Sequence, residues 1–134
     1  MIRLWTIILA IAILLVSTRQ LNAQWVQTNG PYGGTVQSFA VNGSNIFAGT
    51  NGGGVFLSTN NGTSWTAVNA GLTNYDVSAL FVNASQLFAG TEGSGIFLST
   101  NCGTSWIAVN IALQNLHVFS FAQGASKILA GTNH

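Results

Sequence analysis

The chain has 134 residues, of which 48% are apolar and only 4% charged, with three Lys or Arg against two Asp or Glu and a formal net charge of +1. So few basic groups exclude the clustered Lys and Arg that a nucleic-acid partner requires, and so much apolar sequence excludes a disordered chain. A single cysteine, Cys102, excludes a disulfide framework.

Residues 1–23 have the pattern of a secretory signal peptide. Arg3 supplies the positive start, and Leu4 to Val16 is apolar but for Thr6. Ser17 to Ala23 is a more polar tail that ends on a small residue, which places cleavage after Ala23. The apolar run is shorter than the roughly 18–20 residues that span a bilayer, so a retained membrane anchor is not expected. The expected product is residues 24–134, exported and free of the membrane. It keeps Lys127 against Asp76 and Glu92, a net charge of −1, and contains no arginine. Its polarity comes from Asn, Ser, Thr, Gln and Gly.

The chain after Val36 repeats. Val36–Asp76 aligns with Val77–His117 without a gap, and 24 of the 41 positions are identical. A third copy starts at Val118 and runs through Ala130-Gly131-Thr132, which matches Ala48-Gly49-Thr50 and Ala89-Gly90-Thr91. A period near 40 is the length of one four-stranded propeller blade. Four strands are predicted in each period: Val36–Val41, Asn45–Thr50, Gly54–Ser58 and Trp65–Asn69 in the first, and Val77–Val82, Gln86–Thr91, Gly95–Ser99 and Trp106–Asn110 in the second. Their apolar residues fall on both faces, which fits sheets covered on both sides.

The best-matched segment is an octet, Ser58-Thr-Asn-Asn-Gly-Thr-Ser-Trp65, which returns as Ser99-Thr-Asn-Cys-Gly-Thr-Ser-Trp106. It reads as a tight turn between the third and fourth strands. Gly62 and Gly103 can take a positive φ, and the side chains of Asn60 and Asn101 can accept backbone N–H groups of the turn. Ser58, Ser64, Ser99 and Ser105 add hydroxyls for the same purpose, and Trp65 and Trp106 offer large rings to the sheet.

Both octets resemble the Asp-box, or BNR repeat, whose pattern is S-x-D-x-G-x-[ST]-W. That resemblance covers about residues 25–134 and implies an all-β, four-stranded β-propeller blade with the box at its outer turn. The chain departs from the pattern by carrying Asn60 and Asn101 in place of the aspartate. Asp-boxes occur in sialidases, sortilin-type receptors, xyloglucan-cleaving hydrolases, photosystem assembly factors and large exported bacterial repeat proteins. The resemblance therefore specifies fold far better than function.

Trp25-Val-Gln-Thr-Asn29 resembles Trp65-Thr-Ala-Val-Asn69, so a lone fourth strand is expected ahead of the first repeat. Two full repeats and these pieces fall short of the four or more blades of a closed ring. The expectation is an incomplete propeller that is a fragment or associates with copies of itself through open blade faces.

Antiparallel strand order puts the second-to-third-strand loops and the interblade loops on one rim. There the repeats differ. Equivalent positions carry Thr35, Asp76 and His117, and another set carries Asn51, Glu92 and Asn133. With Tyr75 these give a candidate binding face of Asn51, Tyr75, Asp76, Glu92 and His117, for a protein or carbohydrate ligand. Asp76 and Glu92 flank one predicted hairpin, and paired carboxylates are the machinery of glycoside hydrolysis. Against a hydrolase, Tyr32 and Tyr75 alone could act as sugar platforms. A sialidase also holds its substrate carboxylate with arginines, whose planar guanidinium binds two oxygens at once. The chain is therefore read as a non-catalytic binding or scaffold module. A carbohydrate-hydrolase fragment is the first alternative and a photosystem-assembly-like propeller the second.

No cofactor or metal motif is present. Gly52-Gly53-Gly54 is followed by no lysine or helix and is not a phosphate loop. Asn42, Asn61 and Asn83 each begin an N-x-S/T sequence, which matters only in a glycosylating host.

Export predicts a mature chain beginning at Gln24. The intact mass of the secreted protein checks this, and a form retaining residues 1–23 would reject it.

Overall fold

The computed structural model describes residues 27–133. The expected signal peptide, Trp25 and His134 lie outside that range. Among the described residues all regular structure is β-strand. The first antiparallel sheet has the order β1(Thr35–Asn42), β2(Asn45–Asn51), β3(Gly54–Ser58), β4(Thr66–Ala67). The second repeats it with β5(Val77–Asn83), β6(Gln86–Thr91), β7(Gly95–Ser99) and β8(Ile107–Ala108). The third repeat contributes a hairpin, β9(Val118–Gln123) and β10(Ile128–Thr132).

β3 and β7 have the bounds expected from sequence. β4 and β8 are shorter than expected, two residues each, and the reason lies in side chains. The Asn69 amide lies alongside β3 as a further rung of the ladder: its Oδ1 accepts from Val55 N at 2.7 Å and its Nδ2 donates to Gly53 O at 2.9 Å. Asn110 does the same for β7, with Ile96 N at 2.7 Å and Ser94 O at 2.9 Å. A Cβ on Gly54 or Gly95 would lie 2.4 or 2.2 Å from these Oδ1 atoms. Each asparagine therefore needs the glycine opposite it.

The sheets pack face to face and run closest along their first strands, β1 against β5 and β5 against β9. Gly49, Gly90 and Gly131 are invariant across the repeats, yet none has a positive φ. Their requirement is space. A Cβ on Gly49 would stand 2.8 Å from Val77 Cγ1 and 3.2 Å from Leu80 Cγ. One on Gly90 would stand 2.6 Å from Val118 Cγ1. Val77 and Val118 are fully buried in these notches. Phe47, Val55, Leu80, Leu87, Phe97 and Trp106 belong to the core cluster formed around the first joint. At the second joint Phe81, Phe88 and Phe121 form a triangle of tilted rings with centroids 6.1–6.4 Å apart.

Polar bonds cross both joints. At the first, the Asn42 amide at one hairpin tip donates to the Ala84 carbonyl at the next, 3.2 Å away. At the second, Ser78 Oγ donates to the Val118 carbonyl. On β1 the Ser38 hydroxyl is buried without a partner, although its equivalent on β5 is Ala79.

Two outcomes follow. Gly90→Ala should cost roughly 1–3 kcal/mol by overpacking against a stiff valine, whereas Gly131→Ala, whose nearest neighbour is the hydroxyl of the exposed Ser120 at 2.4 Å, should stay within about 0.5 kcal/mol of wild type because that hydroxyl can rotate away. Ser38→Ala should raise stability by about 1 kcal/mol, because it removes a desolvated hydroxyl that has no partner. Urea denaturation of the three variants checks both.

Candidate functional site

Two rims offer sites, and their backbones are built differently. On one rim lie the octets. Each is a loop of side-chain hydrogen bonds wound round a left-handed turn. Asn61 and Gly62 have φ of 55° and 82°, and Cys102 and Gly103 repeat those values. Cys102 is a free, exposed thiol. The buried Ser58 Oγ accepts from Gly62 N at 2.8 Å and donates to Asn60 Oδ1 at 3.0 Å. That oxygen also accepts from Ser64 N, and Asn60 Nδ2 donates to Ser64 Oγ, both at 2.9 Å. Ser99, Asn101, Gly103 and Ser105 reproduce the network at 2.8–2.9 Å. The amide supplies an acceptor and a donor to one turn. An aspartate there would accept both bonds and donate neither.

The two tryptophans are not equivalent anchors. Trp106 is buried, and its Nε1 donates to the Val68 carbonyl of the preceding sheet at 2.7 Å. Its own N–H donates to the Ala70 carbonyl at 2.9 Å. Trp65 is half-buried, and its indole N–H has no partner. Thr28 lies beside Gly62 much as Val68 lies beside Gly103, but Trp65 gains no carbonyl from it.

The opposite rim carries the variable residues, and here backbone bonds lace the loops together. The Tyr75 carbonyl accepts from Gly52 N at 3.1 Å and Gly54 N at 2.9 Å. The Leu116 carbonyl takes the same two bonds from Gly93 and Gly95, at 3.0 and 2.8 Å. The Asp76 carbonyl accepts from Glu92 N at 3.0 Å, and Glu92 forms an antiparallel bridge with His117. Asn51, Tyr75, Asp76, Glu92 and His117 are thereby carried on neighbouring loops of one rim. Asn51, Tyr75, Glu92 and His117 are exposed and Asp76 is half-exposed. Among the described residues no group of three His, Cys, Asp or Glu side chains is placed to hold a metal ion.

The sequence reading passed over two residues that shape this rim. Asn74 Nδ2 donates to the Glu92 carbonyl at 2.8 Å and to Ser94 Oγ at 3.2 Å, and its Oδ1 accepts from Asp76 N at 2.8 Å. It sets the spacing of the two acidic loops. Asn115 Oδ1 likewise accepts from His117 N at 2.8 Å. Their identity across the repeat was the available signal. A separate open depression of about 340 Å³ lies on the octet rim, lined by Asn83 and the β9–β10 turn with Lys127.

Four-stranded antiparallel sheets stacked through their first strands define a β-propeller-like all-β fold. The chain is similar to the crystal structure of an ancestral GH74 enzyme, with a TM-score of 0.63 and 28% sequence identity. The match covers 81% of this chain and 15% of that one, so the chain spans a small part of the enzyme's length. No protein-family model matches the sequence, and no curated protein matches it either.

Trp106→Phe should cost about 1–3 kcal/mol more than Trp65→Phe. The first change strips a buried hydrogen bond that crosses a joint, while the second removes a donor that has no partner. Comparing the two unfolding midpoints checks the difference.

Proposed function

We propose that the chain is part of an exported Asp-box β-propeller and that it serves as a non-catalytic binding or scaffold module. The observation that carries this reading is the division of labour between positions. The octets at seven of their eight positions, the packing glycines and the ladder asparagines are the same in both full repeats. Of the 17 positions at which the two repeats differ (41 − 24), seven fall in the loops of one rim, among them Asn51 with Glu92, Tyr75 with Leu116 and Asp76 with His117, and these change the chemistry that the rim presents. A constant frame with a varied rim is the arrangement of a binding surface. The ligand class is protein or carbohydrate. Tyr75 offers a half-exposed ring, and Asn51, Asp76, Glu92 and His117 offer uncrowded polar groups.

A second reading, a carbohydrate-hydrolase fragment, draws support from the likeness to a GH74 enzyme. Asp76 and Glu92 would then be its acid–base pair, held on adjacent loops by Asn74. What favours binding over hydrolysis is the poverty of reactive groups: Asp76 and Glu92 are the only carboxylate side chains in the sequence.

Affinity electrophoresis in xyloglucan, with hydrolysis assays on a xyloglucan oligosaccharide and a fluorogenic sialoside, separates the readings. The binding role expects background turnover in the wild type and no change in Glu92→Gln. Any retardation by the polysaccharide should weaken in Tyr75→Ala. Turnover that disappears in Asp76→Asn or Glu92→Gln would establish the hydrolase reading instead.

A further inference from the structure

The chain contains four Asn-Gly pairs: Asn29-Gly30, Asn42-Gly43, Asn51-Gly52 and Asn61-Gly62. Such a pair can rearrange without an enzyme. The glycine nitrogen attacks the asparagine Cγ and gives up its proton to the solvent. The new C–N bond closes a cyclic imide, and Nδ2 leaves as ammonia. Water then opens the ring at either carbonyl, giving aspartate or isoaspartate. Glycine favours the attack because no side chain crowds its nitrogen. A glycine N–H already held by an acceptor reacts slowly, since that bond must first be broken. The folded chain treats the four pairs differently. Gly52 N is held by the Tyr75 carbonyl at 3.1 Å, and Gly62 N by the buried Ser58 Oγ at 2.8 Å. Among the described residues nothing accepts from Gly43 N or Gly30 N.

Asn42 ends β1, and Gly43 and Ser44 turn the chain into β2, with Gly43 exposed at a φ of 61°. The Asn42 amide also donates across the first joint to the Ala84 carbonyl, 3.2 Å away. The second sheet makes the same turn after Asn83, but the next residue there is Ala84, with a φ of 53°, and its methyl crowds the nitrogen. We infer that Asn42 is a site of spontaneous deamidation and that its conversion loosens the first joint. An aspartate has no N–H to donate, so its carboxylate faces the Ala84 carbonyl acceptor to acceptor. An isoaspartate also inserts a backbone carbon where β1 meets the turn. Asn29 lies ahead of β1, and among the described residues it makes no bond across a joint. On the variable rim, Asn51 is kept as an amide because the Tyr75 carbonyl holds Gly52 N. Exposure alone ranks the sites the other way, since Asn51 and Asn61 are exposed and Asn42 is half-buried. The modification is independent of what the rim binds.

Ageing of the purified full chain in mildly alkaline buffer tests this. Chymotrypsin cleaves after Phe39, Phe47, Phe56 and Trp65, which places Asn42, Asn51 and Asn61 on separate peptides. Mass spectrometry then follows the replacement of NH2 by OH at each. Asn42 should convert roughly fivefold faster than Asn51 or Asn61, the factor set by one hydrogen bond of ordinary strength. In urea, which removes the fold, the three should convert at similar rates. Gly43→Ala should still fold, because Ala84 already takes that turn conformation and a Cβ on Gly43 meets nothing within 4 Å. Its Asn42 should convert more slowly than in the wild type. The urea midpoint should fall as wild-type Asn42 converts, hold in Gly43→Ala aged for the same time, and be low from the start in Asn42→Asp. Asn51 or Asn61 converting as fast as Asn42 in the folded chain would overturn the inference. So would a Gly43→Ala chain that ages like the wild type, or an Asn42→Asp chain as stable as the wild type.

Discussion

The close approach of one sheet to the next is the constraint on which the other features depend. It is set by a glycine facing a valine. Gly49 and Gly90 leave no room for a Cβ because Val77 and Val118 fill the space above them. Valine is stiff at χ1 and cannot turn aside. With the first strands held this near, Phe47 is sealed into the joint, and the Asn42 amide reaches the neighbouring hairpin tip. The Trp106 indole reaches the Val68 carbonyl for the same reason. A methyl group at either glycine would act on all of these contacts together.

Having almost no charge, the chain builds its fixed polar structure from neutral amides and hydroxyls. Asn60 and Asn101 satisfy the octets with both ends of the amide. Asn69 and Asn110 extend the sheets, and Asn74 spaces the rim loops. Such bonds are short range and are little screened by salt. They also leave the few ionisable groups outside the framework. Asp76 and Glu92 contribute main-chain atoms to the rim's ladder, so their carboxylates are not committed to holding the fold. That separation lets rim side chains differ between repeats while the backbone beneath them stays the same.

Part of the candidate site was legible in the sequence. Placing the loops that carry Asn51, Tyr75, Asp76, Glu92 and His117 on one rim needed only antiparallel strand order and the repeat. The bonds that fix their spacing were not legible, because they join residues about 20 positions apart through Asn74 or through main-chain carbonyls. The difference between Trp65 and Trp106 was also hidden. Their octets are identical at seven of eight positions, and what separates them is the sheet that each one faces.

The sequence by itself determined the all-β class, the 41-residue register, the octet turns and the bounds of β3 and β7. Alternation, glycine at left-handed turns and the repeat are local signals. Only the tertiary structure decided why Gly49 and Gly90 are glycines, why β4 and β8 stop after two residues, and which apolar residues are covered. Each of those depends on an atom brought up from another strand or another sheet: the valine methyl above the glycine, the asparagine amide beside β3, and the joint that buries Phe47 and Leu80 while Phe39, the equivalent of Leu80, touches Trp65 and stays exposed. Distance along the chain carries no record of such contacts.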